Sequence, residues 1–135
     1  MSIASKPGSI LVVDDEPSVL ITYRLILEQQ GYAVKAAVSA AEARNILSNS
    51  KVDLLLCDLS LEKQESGFDV IEFGRKEDPG LLSVLLTGYA TQDAAEWAES
   101  HGIPILFKPI DIQQLLETIE TLLRKRHEIG QAICE

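Results

Sequence analysis

The sequence predicts an α/β domain in which a parallel five-stranded sheet is covered by helices on both faces. Five short apolar runs alternate with five longer segments whose apolar residues recur at helical spacing. The runs are continuously apolar rather than alternating, as expected for strands that are buried on both faces. The chain has 135 residues, the size of one domain, and 46% of them are hydrophobic, which is enough for a substantial core.

The first half of the chain contains two strand–helix units and a third strand. Strands are predicted at 10–13, 32–36 and 54–57. Pro17 suits the first turn of the first helix, and Gly31 suits the position just beyond its end. Ser39 and Glu42 have the spacing of a capping box, in which each side chain satisfies a free backbone N–H at the start of the second helix.

The second half repeats the alternation. A polar loop at 60–67 leads into a short third helix that starts near Phe68 and ends before Asp78. The fourth strand is predicted at 81–86, the fourth helix at 91–101 and the fifth strand at 103–107. Pro104 cannot donate a hydrogen bond to a neighbouring strand, so the fifth strand is expected at an edge of the sheet. Asp111 is expected to cap the last helix, which carries a strong apolar stripe.

Composition excludes several classes of protein. The formal net charge of −9 opposes direct binding to nucleic acid. The only basic run, 124–126, is interpreted as cations near a helix C-terminus, with a local basic patch as the alternative. Two cysteines, Cys57 and Cys134, are too few for a disulfide framework and indicate a reducing compartment. No secretion signal or 20-residue apolar run is found, so a soluble cytoplasmic protein is expected.

Polar residues collect where the predicted strands end. Asp14 and Asp15 follow the first strand, Asp58 the third, Thr87 the fourth and Lys108 the fifth. Ligands of open α/β sheets bind at the carboxyl ends of the strands, near the point where the strand order reverses. In the flavodoxin-like strand order 2-1-3-4-5 that point lies between the first and third strands, which would bring the three aspartates together.

Three carboxylates in one pocket repel one another, so either one stays protonated or a cation lies among them. A few hard oxygen ligands suit Mg²⁺, and Mn²⁺ also fits. An aspartate beside such an ion can act as a nucleophile toward phosphorus. Each residue alone also fits an ordinary turn or helix start, and the prediction depends on all of them falling at one edge of one sheet.

Four segments carry a family resemblance: 11–17 with its Asp-Asp pair, 56–58 ending in Asp58, 85–90 with Thr87, and Lys108-Pro109. In order and spacing they resemble the receiver domain of two-component response regulators, the CheY-like family. The resemblance covers about residues 9–124. It implies a receiver domain at 9–126, with a flexible N-terminus at 1–8 and a C-terminal tail at 127–135.

The resemblance also implies roles for individual residues. Asp58 matches the phosphoacceptor, Asp15 a direct metal ligand and Asp14 a ligand through water. Ser60 matches the residue whose backbone carbonyl binds the metal. Thr87 and Lys108 match the switch hydroxyl and the phosphoryl-stabilising lysine. Pro109 is then expected to form a cis or otherwise rigid turn after Lys108.

Some positions depart from the family pattern. Ile105 stands where members usually carry an aromatic switch residue, and Phe107 is expected on the opposite face of the strand. Glu62 stands where many members have proline, and Gly67 is one residue late. Tyr89, two residues after Thr87, borders the phosphate site in the family and is expected to slow water attack there or to be an ordinary surface tyrosine.

Trp97, the only tryptophan, is expected either in the core or as an exposed anchor for a partner. His101 and His127 have no companions at metal-ligand spacing and are predicted on the surface.

By resemblance, the phosphoryl group comes from a sensor histidine kinase or a histidine phosphotransfer protein. The phosphoryl group then switches the conformation of the domain and alters its binding to an output protein or domain. The formation of homodimers on phosphorylation is a further expectation. The chain is then not a turnover enzyme on an external substrate.

A phosphatase with an aspartyl nucleophile is the enzymatic alternative, but Ser60 stands where such enzymes carry a second acid. A receiver-like module that takes no phosphate is a third class. A nucleotide-binding protein is the weakest alternative, since no glycine-rich loop follows the first strand. Whether the chain is a stand-alone regulator or part of a longer one stays open.

Overall fold

The computed structural model describes residues 8–61 and 66–134, with side chains described through residue 126. Five strands and five helices alternate along this part of the chain. They are β1 (Ser9–Val13), α1 (Pro17–Gln29), β2 (Ala33–Ala37), α2 (Ala40–Asn49), β3 (Leu54–Asp58), α3 (Gly67–Glu77), β4 (Leu82–Thr87), α4 (Gln92–Ser100), β5 (Ile105–Phe107) and α5 (Ile112–Cys134). The predicted (βα)₅ alternation is confirmed.

All strand pairs are parallel, and the strand order is β2-β1-β3-β4-β5. The predicted order is therefore confirmed, including the reversal between β1 and β3. β5 is an edge strand, as Pro104 indicated, but it begins after that proline rather than at Ile103. Pro104 still contributes its carbonyl oxygen, which accepts a hydrogen bond from the Leu85 N–H at 2.9 Å.

The sheet is buried on both faces, which explains why its strands are continuously apolar. One core cluster lies between the sheet and helices α2, α3 and α4, and includes Leu55, Ile71 and Leu85. The other lies between the sheet and helices α1 and α5, and includes Leu27 and Leu115. Successive residues of a strand point alternately into the two clusters. The direction of each side chain at a strand end is therefore set by its position in the strand.

Local signals set the helix ends. Pro17 starts α1, and Gly31 follows it with a φ of 97°, a backbone conformation that glycine adopts without strain. Ser39 accepts a hydrogen bond from the Glu42 N–H at 3.1 Å, and Asp111 accepts one from the Gln114 N–H at 3.1 Å. Both predicted N-caps are confirmed.

The last helix corrects one interpretation. α5 continues to Cys134, through the residues predicted as a tail, so the basic run at 124–126 does not lie at a helix C-terminus. Arg126 instead donates to the Asp53 carbonyl at 3.0 Å and lies 3.5 Å from an Asp78 carboxylate oxygen. No helix of the described chain combines the length and apolar character that crossing a membrane requires.

Candidate functional site

The predicted polar residues meet at the carboxyl edge of the sheet. β1 and β3 are neighbours with Val13 opposite Cys57, so the next residues, Asp14 and Asp58, extend side by side from the two strands. Lys108 follows β5 and reaches across β4 to them: its Nζ lies 2.9 Å from Asp58 Oδ2 and 3.5 Å from Asp14 Oδ2. The strand order thus converts residues that are far apart in the chain into one cluster.

Asp58 is a buried carboxylate with a donor on each oxygen. Oδ2 accepts from Lys108 Nζ at 2.9 Å, and Oδ1 accepts from the backbone N–H of Ser60 at 3.1 Å. Burial raises the pKa of Asp58, while Lys108 and the Ser60 N–H oppose that rise and the charge of Asp14 adds to it. One lysine therefore does not neutralise the negative charge collected in this pocket.

Lys108 is held in its charged form. Burial acts to lower its pKa, but the hydrogen bond to Asp58 and the charges of Asp58 and Asp14 outweigh burial, so the pKa of Lys108 is raised. Its backbone N–H donates to the Thr87 carbonyl at 2.8 Å, which ties the end of β5 to the end of β4. The peptide bond between Lys108 and Pro109 is cis, as expected.

Asp14, Asp15 and Asp58 have the arrangement of a metal site. Each offers one carboxylate oxygen, and these atoms lie within 4.8 Å of one another. Asp14 is 2% exposed, and its Oδ1 is fixed by the Glu16 N–H at 2.9 Å. Three hard oxygen donors in a partly buried pocket fit Mg²⁺ and Mn²⁺. The residues present therefore fit a divalent cation.

Thr87 lies at the same edge, but its hydroxyl is engaged elsewhere. Thr87 is 3% exposed, and its Oγ1 donates to the Tyr89 carbonyl at 2.7 Å and accepts from the Tyr89 N–H at 3.2 Å. Tyr89 itself is 77% exposed. The one proton of the Thr87 hydroxyl is therefore used to hold the loop that follows β4.

β5 contains one correction. Leu106 belongs to the core cluster on the α1 and α5 side, whereas Ile105 packs against the cluster on the other side. Side chains two residues apart share a face, so Phe107 lies on the side of Ile105, and the expected opposite face is wrong. Phe107 is 57% exposed because it stands at the strand end, beyond the core.

Other predicted residues are placed as follows. Ser60 is exposed and pairs with Ser66 across the loop, whereas Glu62 lies outside the described residues. Trp97 is half-buried against the core and stacks on His101, which is exposed as predicted. The side chain of His127 is outside the described part of the chain.

One residue next to the site has a packing role that was not recognised from the sequence. A Cβ added to Gly67 would lie 2.5 Å from the Asp58 carbonyl oxygen, so only glycine allows α3 to approach the acceptor strand this closely. Its place directly before a helix was the available signal.

A doubly wound domain with this site belongs to the class of small α/β proteins that can bind a cation and a phosphoryl group at the sheet's switch point. A family model described as the response regulator receiver domain matches residues 10–120. The chain therefore belongs to the receiver domains of two-component response regulators. The general function of this family is to accept a phosphoryl group on an aspartate, and its members generally bind Mg²⁺ at an acidic pocket.

Individual relatives agree with the family. The transcriptional regulatory protein GlrR of Escherichia coli is 33% identical over 121 residues, which are 89% of this chain and 27% of GlrR. The alginate biosynthesis transcriptional regulatory protein AlgB of Pseudomonas aeruginosa is 37% identical over 113 residues, which are 83% of this chain and 25% of AlgB. The chain thus spans about a quarter of the length of these relatives.

Solved structures show the same fold. A CheY-like response regulator receiver domain protein from Methanospirillum hungatei superposes with a TM-score of 0.86 at 30% identity, covering 93% of this chain and 100% of that one. The receiver domain of a LuxO repressor protein from Vibrio parahaemolyticus superposes with a TM-score of 0.84 at 23% identity, covering 93% and 96%. Receiver domains in general interact with histidine kinases and are fused to output domains in homologues.

Proposed function

We propose that Asp58 is the residue on which this receiver domain accepts the phosphoryl group. The observation that carries the assignment is the position of its carboxylate, at the end of β3, with Lys108 Nζ at 2.9 Å and the carboxylates of Asp14 and Asp15 beside it. The Asp58 side chain is 10% exposed, so a small phosphorylated group can reach it only from the open edge of the sheet.

In the proposed reaction, a carboxylate oxygen of Asp58 forms a bond to phosphorus while the bond from phosphorus to the donor's histidine nitrogen breaks. The imidazole leaves with the electron pair of that bond and takes up a proton. Lys108 supplies a positive charge next to the accepted group, and the N–H of Ser60 supplies a fixed donor on its other side. The product is an aspartyl phosphate.

We assign the divalent cation to Asp14, Asp15, Asp58 and the backbone carbonyl of Ser60, with Mg²⁺ as the expected ion and Mn²⁺ as its substitute. When bound, the cation neutralises the charge that the carboxylates and the phosphoryl oxygens bring together. The close grouping of the three carboxylate oxygens supports this assignment. The backbone N–H of Glu16, the residue just before α1, donates to Asp14 and so orients this proposed metal ligand.

Thr87 is the proposed switch residue. Its hydroxyl has one proton, which is donated to the Tyr89 carbonyl in this structure. Donation of that proton to a phosphoryl oxygen on Asp58 requires the bond to Tyr89 to break. The segment between β4 and α4 then takes a second arrangement, and the two arrangements present different surfaces to partners. Tyr89, at the rim, is placed to modulate access of water.

The proposed donor is a sensor histidine kinase or a histidine phosphotransfer protein in the cytoplasm, and the output is a partner protein or attached domain. The chain assists its own phosphorylation and dephosphorylation but turns over no external substrate, and it does not contact nucleic acid directly, in keeping with its net charge of −9. We place the receiver unit at residues 9–126, since Arg126 still contacts β3 through Asp53.

Phosphorylation is also proposed to promote homodimers through the α4 and α5 face, where Ile112, at the start of α5, is an exposed hydrophobic side chain. Sedimentation velocity before and after phosphorylation tests this proposal. A larger sedimentation coefficient is expected after phosphorylation, and an unchanged profile contradicts it.

The assignment of Asp58 is tested by intact mass after incubation with acetyl phosphate, with and without Mg²⁺. The expected result is a gain of one phosphoryl group that requires Mg²⁺ and is absent in Asp58→Asn. Asp93→Asn, which changes an exposed aspartate in the first turn of α4, is the matched control and should gain the group normally. A phosphoryl gain in Asp58→Asn would place the acceptor elsewhere, and no gain in the wild type would favour an interaction module that takes no phosphate.

A further inference from the structure

Helix α4 is attached to helix α3 by an aromatic stack. The ring centroids of Phe68 in α3 and Trp97 in α4 are 4.3 Å apart, with the planes tilted by 47°. On its other side Trp97 stacks on His101, with centroids 4.2 Å apart and planes 22° from parallel. Both distances are within the range of favourable aromatic pairs. The stack therefore joins the first turn of α3 to the last turn of α4.

A second contact supports the same attachment. Arg75 of α3 donates from Nη2 to the carbonyl oxygen of His101 at 3.1 Å. The His101 ring in turn lies with Nδ1 2.7 Å from the carbonyl oxygen of Trp97. Arg75 thus ties α3 to the end of α4, at the residue on whose ring Trp97 stacks.

The stack lies between the helices α3 and α4, whose first residues follow Asp58 and Thr87 in the chain. The α3 end starts at Gly67, whose N–H donates to the Leu59 carbonyl at 2.8 Å, directly after Asp58. The α4 end starts at Thr91, four residues after Thr87. A cavity of about 450 Å³ separates the two helix starts, and Phe68 and Ala94 line it. Trp97 is about one helical turn beyond Ala94 in α4.

The chain also lacks an aromatic residue at the usual place for coupling. Ile105 fills that place on β5, and Phe107, on the same face, is mostly exposed. Ile105 and Trp97 pack against the same core cluster. The partly buried aromatic rings against that cluster are therefore supplied by helices, Phe68 and Phe73 by α3 and Trp97 by α4, rather than by β5.

We propose that Trp97 is the positioning residue that couples phosphorylation of Asp58 to α4. Its contact with Phe68 holds α4 in the unphosphorylated arrangement, and release of Tyr89 by Thr87 frees the start of α4 and loosens that contact. This inference rests on the function proposed above, because it requires a phosphoryl group on Asp58. The interaction between Phe68 and Trp97 then contributes to the free-energy difference between the two arrangements of the domain.

The first test uses the emission of Trp97, which reports on one position because it is the chain's only tryptophan. Emission and acrylamide quenching are recorded with acetyl phosphate and Mg²⁺, and intact mass is measured on the same sample. We expect the emission and the quenching to change together with the gain in mass, and not in Asp58→Asn. A gain in mass with unchanged emission overturns this inference and leaves the proposed function intact. No gain in mass overturns both.

The second test separates coupling from simple packing. Trp97→Leu should weaken the unphosphorylated arrangement and so raise the rate of phosphorylation by acetyl phosphate about two- to tenfold, the range that corresponds to the loss of one aromatic pair. Trp97→Phe should restore most of the wild-type rate. A merely structural role would lower the melting temperature without raising that rate, and such a result overturns the inference.

Phe107→Leu is the matched control, since it removes an aromatic ring from the same side of the sheet without touching the stack. Its rate should equal that of the wild type. A changed rate in Phe107→Leu together with an unchanged rate in Trp97→Leu would assign the coupling to β5 and overturn the proposal. Circular dichroism of each variant establishes that it is folded.

Discussion

At the scale of the residue, the site is a balance between one cation and three carboxylates. Lys108 neutralises part of the charge of Asp58 and Asp14, and burial leaves the pKa of Asp58 raised all the same. A bound divalent cation would add positive charge to this pocket, whereas an incoming phosphoryl group would add negative charge. Gly67 matters because its missing side chain lets α3 approach the acceptor strand, and not because it reacts.

Replacement of Lys108 by glutamine should slow phosphorylation of Asp58 on the order of ten- to a hundredfold, because a charged hydrogen bond next to the accepted group is lost. The time course of intact mass with acetyl phosphate and Mg²⁺ measures the effect. Lys35→Gln, at an exposed position in β2, is the control and should retain the wild-type rate. An unimpaired Lys108→Gln protein would remove this lysine from the proposed mechanism.

Gly67→Ala should lower the free energy of unfolding by about 1–3 kcal/mol, because the new Cβ would lie 2.5 Å from the Asp58 carbonyl oxygen and the backbone must shift. Urea denaturation measures this change. The matched control is Gly88→Ala, where an added Cβ meets nothing within 4 Å. Equal stabilities of the two variants would show that α3 can move away from the acceptor strand without cost.

At the scale of the element, the helices are fixed to the sheet by a few specific contacts as well as by the core. α3 and α4 are joined through Phe68 and Trp97. α5 is joined to the opposite end of the sheet by Arg126, which contacts Asp53 at the start of β3 and Asp78 after α3. This contact lies at the opposite end of β3 from Asp58.

Arg126→Met should lower the free energy of unfolding by about 1 kcal/mol, since it removes a hydrogen bond to a backbone carbonyl and two partly buried ion pairs. Arg124→Met is the control, because its guanidinium pairs with Glu120 at 3.9 Å and both of these side chains are exposed. Thermal and urea denaturation compare the two. If Arg124→Met is as destabilised as Arg126→Met, the contact of Arg126 with β3 is not the cause.

At the scale of the whole molecule, ionisation is linked to the stability of the fold. Burial raises the pKa of Tyr32 above its ordinary value of 10.0, with a further contribution from the charge of Glu120, and burial also raises the pKa of Tyr23. The folded protein therefore holds these phenolic protons more tightly than the unfolded chain does. The resulting stability is complete below pH 10 and is lost as pH rises through the folded-state pKa values.

The free energy of unfolding should accordingly decline above pH 10, and Tyr32→Phe should make that decline shallower because phenylalanine has no proton to lose. Urea denaturation at a series of alkaline pH values measures the slope. Tyr89→Phe, at a position that is 77% exposed, is the control. A slope in Tyr32→Phe as steep as in the wild type would contradict the assignment of this pH dependence to Tyr32.

The sequence by itself determined the order of elements, because the alternation of apolar runs and helical stripes depends on local periodicity. It also determined which residues are gathered at the carboxyl edge: Asp14, Asp58, Thr87 and Lys108 each follow a strand, and parallel strands end at one side of a sheet. Strand bounds were less exact, as at β5, because Pro104 ends up just before the strand and not within it.

Only the tertiary structure decided the features that depend on distance between elements. Gly67 is required because α3 approaches the Asp58 carbonyl. Arg126 was misinterpreted because its partners, Asp53 and Asp78, are remote in the chain. Trp97 faces Phe68 only because two helices lie side by side on the sheet. Local periodicity says which side of a helix is buried, but not which neighbour covers it.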